Sequence, residues 1–370
     1  MVISDAKASQ LVGTYGSIVL RYRSSTWSSL YAAEMIHKVG HAVAFHIDAT
    51  MELQAPQAGS REGIWWLPKE TTNDYLILTN QGNTALSLVL SLYDSAGRES
   101  KQQLPLGPYS TARLSVRKLL QAAGLTGLYG GIQISAAAHA GSLDTLHFLF
   151  DEDANFSALL KMFDHFPNAK LSERDFAGTG VWTLRAPMLA LSNPDTALAF
   201  PPGTTLRPQL FIRNTTAKPV DAALRFNWHT AAPDATGRAP GPQLHLLPYE
   251  TRRVDIATLQ DGTILPKQAN WTSVTLTTNA LPDEVTAIAA SYDETLKYGA
   301  QTPFSTSLPL NGKAACGNTT RITAPSLPQA TAAQSQPRWP SPSSIIKEPS
   351  ATIWSKRFSR TSRCGLTLAN

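Results

Sequence analysis

The chain has 370 residues, of which 42% are hydrophobic and 16% charged, with 23 glycines and 25 prolines. This length allows two or three domains, and the composition favours many short strands over long helices. The net charge of +5 comes from the last 60 residues, which contain eight basic residues and one acidic residue. Residues 1–310 contain 24 basic and 26 acidic residues. The candidate domains therefore lack the basic excess typical of nucleic-acid binding, and we expect no nucleic-acid partner.

Both cysteines, Cys316 and Cys364, lie in the same basic C-terminal region. The candidate domains thus contain no thiol for a disulfide or for a cysteine-based zinc site. No run of 18 or more apolar residues is present, and the first residues do not form a secretion signal. The sequence accordingly predicts no membrane span and no cofactor, and it does not identify a compartment.

The first predicted unit, residues 1–50, is only half a unit. Residues 11–18 match residues 125–132 at Leu, Gly, Tyr, Gly and Ile, and residues 45–48 take the place of residues 148–151. These matches predict the C-terminal half of a β-sandwich without its earlier strands. Because a half-sandwich exposes unpaired strand edges, we expect Met1 to be an internal start, a gene-prediction error or a truncation.

The second predicted unit, residues 73–165, is complete. Short apolar runs bounded by Gly, Asn and Pro predict strands, among them residues 74–80, 86–93 and 129–134. Residues 156–163 have apolar side chains at helical spacing and predict a short linker helix. Residues 51–72 precede this unit as a predicted junction with the sequence Gly-Ile-Trp-Trp-Leu-Pro at 63–68.

The third predicted unit, residues 205–305, repeats the order of the second, and a similar junction with Gly-Val-Trp-Thr-Leu lies in residues 166–204. The best-repeated stretch is 104–119, which recurs at 244–259. Its shared positions predict a corner followed by a strand, and a tyrosine hydroxyl that bonds to backbone at such a corner is a known device of β-sandwiches. The structural markers of the repeat are the following: Tyr109, Arg113, Tyr249 and Arg253.

These elements predict an all-β protein of tandem antiparallel β-sandwich domains with about 100 residues per unit. In layout the chain resembles the tandem immunoglobulin-like or fibronectin-like arrays of uncharacterised bacterial surface and secreted proteins. The resemblance covers about residues 73–305, and the Cys-Trp-Cys pattern of true immunoglobulin domains is absent. It implies a chain that is part of a longer exported protein.

Residues 306–370 are rich in Ser, Thr, Pro and Arg and predict a disordered tail. A second hypothesis is that this tail is a frameshifted fourth repeat. The degenerate codons of residues 311–317 permit Trp-Lys-Gly-Gly-Met-Trp in another frame, which resembles the tryptophan-containing junctions. The nucleotide sequence would decide between the two readings.

Two sets of residues could hold a metal ion. Glu34, His37, His41, His46 and Asp48 are close in sequence, but a glycine interrupts the helix that would gather the histidines, so surface or turn histidines are favoured. The carboxylates that close the units could contribute to a calcium site, although a strand-end aspartate readily accepts backbone N–H groups in a turn. These carboxylates are the following: Asp48, Asp151 and Asp293.

The pair Ser115 and Lys118 formally matches the Ser-x-x-Lys motif of penicillin-recognising enzymes. The third unit has Asp255 in place of the serine, and the other motifs of that family are absent. Ser115 is therefore predicted to be a solvent-facing strand residue.

Trp65, Trp66 and Trp182 lie in the predicted junctions. Flat aromatic faces suit the apolar faces of sugars, so these side chains are candidate ligand-binding residues. Their junction position favours the alternative, in which they fill the interface between successive domains.

These observations predict a non-enzymatic structural or adhesive array whose partner is unknown and could be a protein or a glycan surface. The alternative is a carbohydrate-binding module that uses the junction tryptophans. An enzyme would require acidic or histidine residues from different units to converge on one pocket.

Overall fold

The computed structural model describes residues 17–20, 33–37, 44–48, 60–136, 143–151, 153, 156–165, 181–194, 200, 203–281, 283–293, 299–305 and 366–369. The described chain is mostly β-strand and every strand pairing is antiparallel, so the all-β prediction is confirmed. Outside the two main bodies, a first pair joins β1 (Ser17–Leu20) to β21 (Leu366–Ala369), and a second joins β2 (Ala33–His37) to β3 (Ala44–Asp48). Apart from β21, the predicted tail lies outside the described residues.

The first sandwich consists of two sheets with strand orders β12-β4-β9-β6-β7 and β11-β10-β5-β8. Leucine and isoleucine side chains from both sheets meet in one core and are almost fully buried. The elements are β4 (Ser60–Trp66), β5 (Asn73–Asn80), β6 (Leu86–Tyr93), β7 (Glu99–Leu106), β8 (Thr111–Ser115), α1 (Val116–Ala123), β9 (Tyr129–Ala136), β10 (Leu143–Asp151), β11 (Phe156–Leu160) and β12 (Phe163–His165).

The second sandwich has sheets of order β13-β18-β15-β16 and β17-β14-β19-β20. If β4, β5, β6, β7, β8, β9, β10 and β11 are matched in turn with β13, β14, β15, β16, β17, β18, β19 and β20, the neighbours within each sheet are the same. The elements are β13 (Trp182–Ala190), β14 (Leu206–Asn214), β15 (Val220–Ala231), β16 (Asp234–Leu246), β17 (Thr251–Asp255), a 3-10 helix (Ala257–Leu259), β18 (Trp271–Thr278), β19 (Val285–Asp293) and β20 (Gly299–Pro303).

The two predicted junctions contribute strands to the sandwiches, which corrects the sequence interpretation. In the first, β4 pairs with β9 and β12; in the second, β13 pairs with β18. Residues 64–66 are all buried because β4 is covered on both faces. A strand buried on both faces reads as a continuous apolar run without alternation, so its sequence pattern does not distinguish it from a linker.

One local prediction is also corrected, and a second residue has a role that was not predicted. Residues 156–163 form β11 and the start of β12 rather than a helix, since β11 completes the edge of the sheet beside β10. Ser115 is the last residue of β8 and also the N-cap of α1, where its hydroxyl accepts a hydrogen bond from the Lys118 backbone nitrogen at 3.4 Å. A short polar side chain at a strand-to-helix transition serves this purpose well.

The repeated stretch surrounds a buried asparagine in each sandwich. The Nδ2 atom of Asn80 donates to the carbonyl oxygens of Thr84 (2.7 Å) and Gly107 (2.8 Å), and its Oδ1 atom accepts from the Gly82 nitrogen (2.9 Å). Asn214 makes the same set of contacts in the second sandwich, with the corresponding partners Lys218, Leu247 and Thr216. One buried asparagine side chain thus joins two turns at the end of each sandwich by hydrogen bonds to their backbone groups.

Tyr109 and Tyr249 share a backbone conformation rather than a hydroxyl contact. Their φ angles are 51° and 58°, in the left-handed region, and each backbone nitrogen donates across the corner, to Gly82 and Thr216 respectively. Among the described residues neither hydroxyl makes a hydrogen bond, so the predicted tyrosine corner is replaced by a corner held by asparagine. The matched Arg113 and Arg253 are both exposed at the same position of β8 and β17.

Replacing Asn80 or Asn214 with alanine is expected to lower the free energy of unfolding of the affected sandwich by about 1–3 kcal/mol, because two turns lose the side-chain hydrogen bonds that join them. Urea denaturation monitored by circular dichroism would measure the change. Asn83→Ala, in the same turn as Asn80 but exposed, is the control and should have little effect. Equal effects at Asn80 and Asn83 would contradict the role of the buried amide.

Candidate functional site

Among the described residues, the largest buried hydrophobic cluster outside the two cores lies between the sandwiches. The outer face of β4 and β9 in the first sandwich packs against the outer face of β14 and β19 in the second. Alternate residues of each strand point to this contact, while their neighbours point into the cores. The shared cluster buries the following side chains at 9% exposure or less: Ile64, Trp66, Leu149, Ala158, Leu160, Phe211, Ile288 and Ala290.

Aromatic rings form the centre of this interface. Trp66 lies 5.4 Å from the Phe211 ring and 4.8 Å, edge-on, from the Tyr292 ring, measured between ring centroids. Tyr129 contacts Phe211 from the other side at 5.5 Å, and the Arg253 guanidinium lies over the Tyr129 ring. Tilted and edge-on ring pairs of this kind stabilise a contact beyond the area that they bury.

A buried ion pair crosses the interface. The Arg213 Nη2 atom lies 3.2 Å from the Glu62 Oε2 atom, and the two side chains are 0% and 1% exposed. Gln133 donates to the other oxygen of Glu62 at 2.6 Å, and Arg213 also donates to the Tyr249 carbonyl at 3.1 Å. The ion pair links the two sandwiches and can form only while their outer faces are in contact.

The Arg213 guanidinium occupies a closely fitted space. It lies over the Tyr93 ring at 4.4 Å, and Tyr93 in turn stacks on Tyr249 at 5.0 Å. A Cβ atom placed on Gly131 would lie 1.7 Å from the arginine Nη1 atom, so only glycine fits there while Arg213 occupies this space. Arg213 therefore depends on residues of the first sandwich for its charge partner, its aromatic contact and its space.

Backbone contacts continue the interface at its edge. The Thr251 nitrogen donates to the Ser95 carbonyl at 3.0 Å, which joins β17 to the turn after β6. In that turn Gly97 has a φ of 86°, and a Cβ atom there would lie 2.4 Å from the Pro248 carbonyl oxygen. The turn thus requires glycine both for its conformation and for the close approach of the second sandwich.

Two tyrosines at the interface, Tyr93 and Tyr292, have raised pKa values. Burial raises the pKa of Tyr93 above its usual range, and the hydrogen bond to Glu99 at 2.6 Å and the Glu99 charge raise it further. Burial also raises the pKa of Tyr292. For Glu99, burial alone would raise the pKa, but hydrogen bonds from Tyr93 and Lys101 outweigh it and lower the pKa. Both phenols therefore stay neutral near pH 7 and serve as packing and hydrogen-bonding groups.

The structure places the three candidate tryptophans apart. Trp65 is 0% exposed in the first core, where its indole nitrogen donates to the Tyr93 carbonyl at 2.9 Å. Trp66 is 3% exposed in the interface, and Trp182 is half-buried against the second core. Trp65 and Trp66 offer no ring face to a sugar in solution. This burial corrects the ligand-binding hypothesis for these two residues and fits the alternative of a packing role for Trp66.

The candidate metal carboxylates do not converge on a common site in the described chain. Asp151 is buried and accepts hydrogen bonds from the Thr71 and Thr72 hydroxyls at 2.7 and 3.0 Å, and Asp293 is buried at the end of β19. The side chain of Asp48 lies outside the described residues, as do the side chains of the histidine cluster at 37–46. Where side chains are described, no group of three His, Cys, Asp or Glu residues could hold a metal ion.

A buried Asp74–His147 pair was not expected from the sequence. The Asp74 Oδ1 and His147 Nε2 atoms are 2.5 Å apart, both side chains are 0% exposed, and the other Asp74 oxygen accepts from the Trp66 nitrogen at 3.1 Å. The His147 Nδ1 atom is buried without a hydrogen-bond partner. The pair ties β10, β5 and β4 together beneath the interface. The only sequence signal was a polar residue at a core position of two neighbouring strands.

Comparisons with known proteins found no matching family model, no matching curated protein and no matching solved structure. Among the described residues, no helix is both long enough and apolar enough to cross a membrane. The geometry of the interface is therefore the main basis for a functional proposal.

Proposed function

We propose that this chain is a section of a non-enzymatic structural or adhesive array, built from tandem immunoglobulin-like β-sandwich units in a bacterial exported protein. The observation that carries the proposal is the buried interface with its Glu62–Arg213 ion pair. Two domains joined by a flexible tether do not need a buried charge pair between them. A spacer of fixed geometry does gain from one, since misaligned domains would separate Arg213 from Glu62.

The tandem-repeat part of the proposal is supported by the matched strand orders and by the two asparagine corners. The exported bacterial setting is supported by the resemblance of layout to surface and secreted arrays. A non-enzymatic role is supported by Asn80, Asn214 and Asp151, whose side chains form hydrogen bonds within the fold. A glycan-binding role would now depend on Trp182 alone among the three candidate tryptophans.

Distance measurement between the sandwiches tests the proposal. Spin labels would be placed at Gln103→Cys in β7 and Thr236→Cys in β16, both exposed, in a chain with Cys316→Ser and Cys364→Ser. Double electron–electron resonance is expected to give one narrow distance distribution, because the buried interface fixes the two bodies. The matched control adds Arg213→Met, which should broaden the distribution.

A broad distribution in the chain without Arg213→Met would overturn the proposal of a spacer with fixed geometry. Labels placed within one sandwich, at Gln103 and Asn83, provide the reference width for a rigid body. The comparison therefore separates motion of the labels from motion between the sandwiches.

A further inference from the structure

The outer face of the sheet β11-β10-β5-β8 in the first sandwich is apolar. Tyr75, Ile77, Leu146, Phe148 and Phe150 are half-buried on this face. The Tyr75 and Phe148 rings contact each other at 5.5 Å between centroids, and Arg113 lies over Tyr75 at the same distance. Large apolar groups gathered on one outer sheet face indicate a surface that receives another layer of protein.

This face corresponds residue by residue to the face of the second sandwich that is already covered. With Asn80 matched to Asn214, Ile77 matches Phe211 and Thr79 matches Arg213. Strand pairing supports the match, because Ile77 is opposite Leu146 and Arg113, just as Phe211 is opposite Ile288 and Arg253. The outer face of β5, β8 and β10 in the first sandwich is therefore equivalent in position to the covered face of β14, β17 and β19 in the second.

The N-terminal part of the chain contains the sequence that such an interface uses. Residues 11–18 match residues 125–132, so Tyr15 corresponds to Tyr129, which packs on Phe211 and under Arg253. Ser17 corresponds to Gly131, where glycine is required by the Arg213 guanidinium. On the first sandwich the position of Arg213 is occupied by Thr79, which leaves room for a serine. The smaller Thr79 at the position of Arg213 thus compensates for the larger Ser17 at the position of Gly131.

We propose that residues 11–20 pack on the outer face of β5, β8 and β10, with Tyr15 against Ile77 and Arg113. The proposal rests on the proposed array function and deepens it: each unit would present its β9-type strand to the β5-type face of the unit that follows. The pairing of β1 with β21 uses the edge of a strand, so it is compatible with a contact made by its face.

A second copy of the chain fits this face less well. The corresponding outer face of the second sandwich presents Arg185, Asn227, Ser273 and Thr275 in place of Glu62, Tyr93, Gly131 and Gln133. A polar face with an exposed arginine does not complement the apolar surface of β5 and β10. Residues 11–20 therefore remain the favoured occupant.

Thiol crosslinking in the full chain tests the proposal. The variant Tyr15→Cys with Ile77→Cys, in the background Cys316→Ser and Cys364→Ser, would be treated with a short bis-maleimide and digested for mass spectrometry. We expect an intramolecular crosslink at a yield within about twofold of the positive control. That control is Tyr129→Cys with Arg253→Cys, because the exposed Arg253 guanidinium lies 5.5 Å from the Tyr129 ring centroid.

The outcomes separate this proposal from the function on which it rests. A crosslinked positive control with no crosslink between positions 15 and 77 would overturn the docking of residues 11–20 alone. A crosslink between two chains would also overturn it, since the occupant would then be a second copy. Failure of the positive control as well would contradict the rigid array itself. A negative control, Tyr15→Cys with Gln103→Cys on the opposite sheet, should stay unlinked.

Discussion

Replacing Arg213 with methionine is expected to lower the free energy of unfolding of the joined sandwiches by about 3–5 kcal/mol, because the substitution removes the positive charge beside the buried Glu62 carboxylate. Gln133 still donates to Glu62, but it carries no charge. The loss should appear first as separation of the two sandwiches, since Arg213 lies in the interface rather than in a core. Calorimetry is expected to show one transition in the unsubstituted chain and two in Arg213→Met.

The second substitution Glu62→Gln should recover most of this loss. Replacement of a buried ion pair by neutral groups of similar size is often neutral or stabilising, whereas removal of one partner is costly. The double variant is therefore expected to be more stable than Arg213→Met alone. Arg253→Met is the matched control, because Arg253 is exposed over Tyr129 and its loss should cost at most about 1 kcal/mol. An unchanged stability in Arg213→Met would contradict the role of the pair.

Much of the fold could be predicted from the sequence because the sandwiches bury one face of most strands. Alternation in β6 and β15, and turns marked by Gly, Pro and Asn, identified strands and corners at their observed positions. The match of 104–119 with 244–259 likewise identified the two corners, although the shared Asn80 and Asn214 lie outside that stretch and carry most of its contacts.

The interface could not be predicted, because nothing in a single sequence relates Glu62 to Arg213. The two residues are 151 positions apart and become partners only after both sandwiches have formed. The apolar runs of β4 and β14 did contain a signal, since both strands are buried on both faces. In β4 the same run was interpreted as a junction, because a doubly buried strand has no alternation to reveal it.

Trp65 and Trp66 are adjacent residues of β4, the first in the core and the second in the interface. Separate substitutions of the two test how β4 contributes to both. Trp65→Ala is expected to lower the free energy of unfolding of the first sandwich by about 3–5 kcal/mol, since it opens a cavity in the core. It also removes the indole donor from the Tyr93 carbonyl. Trp66→Ala removes the contacts with Phe211 and Tyr292 instead, so it should weaken the interface and leave the first core filled.

Hydrogen exchange with mass spectrometry can separate these two effects, because it reports on each strand. In Trp65→Ala, protection should fall in β6 and β9 while β15 and β18 keep theirs, since these strands belong to different cores. In Trp66→Ala, the loss should concentrate in β4 and in the outer-face strands β14 and β19, and calorimetry should resolve two transitions. Identical exchange patterns in the two variants would show that the side chains do not divide their roles between core and interface. Distinct patterns would show that a single strand holds its own sandwich together with one face and fixes the next sandwich with the other.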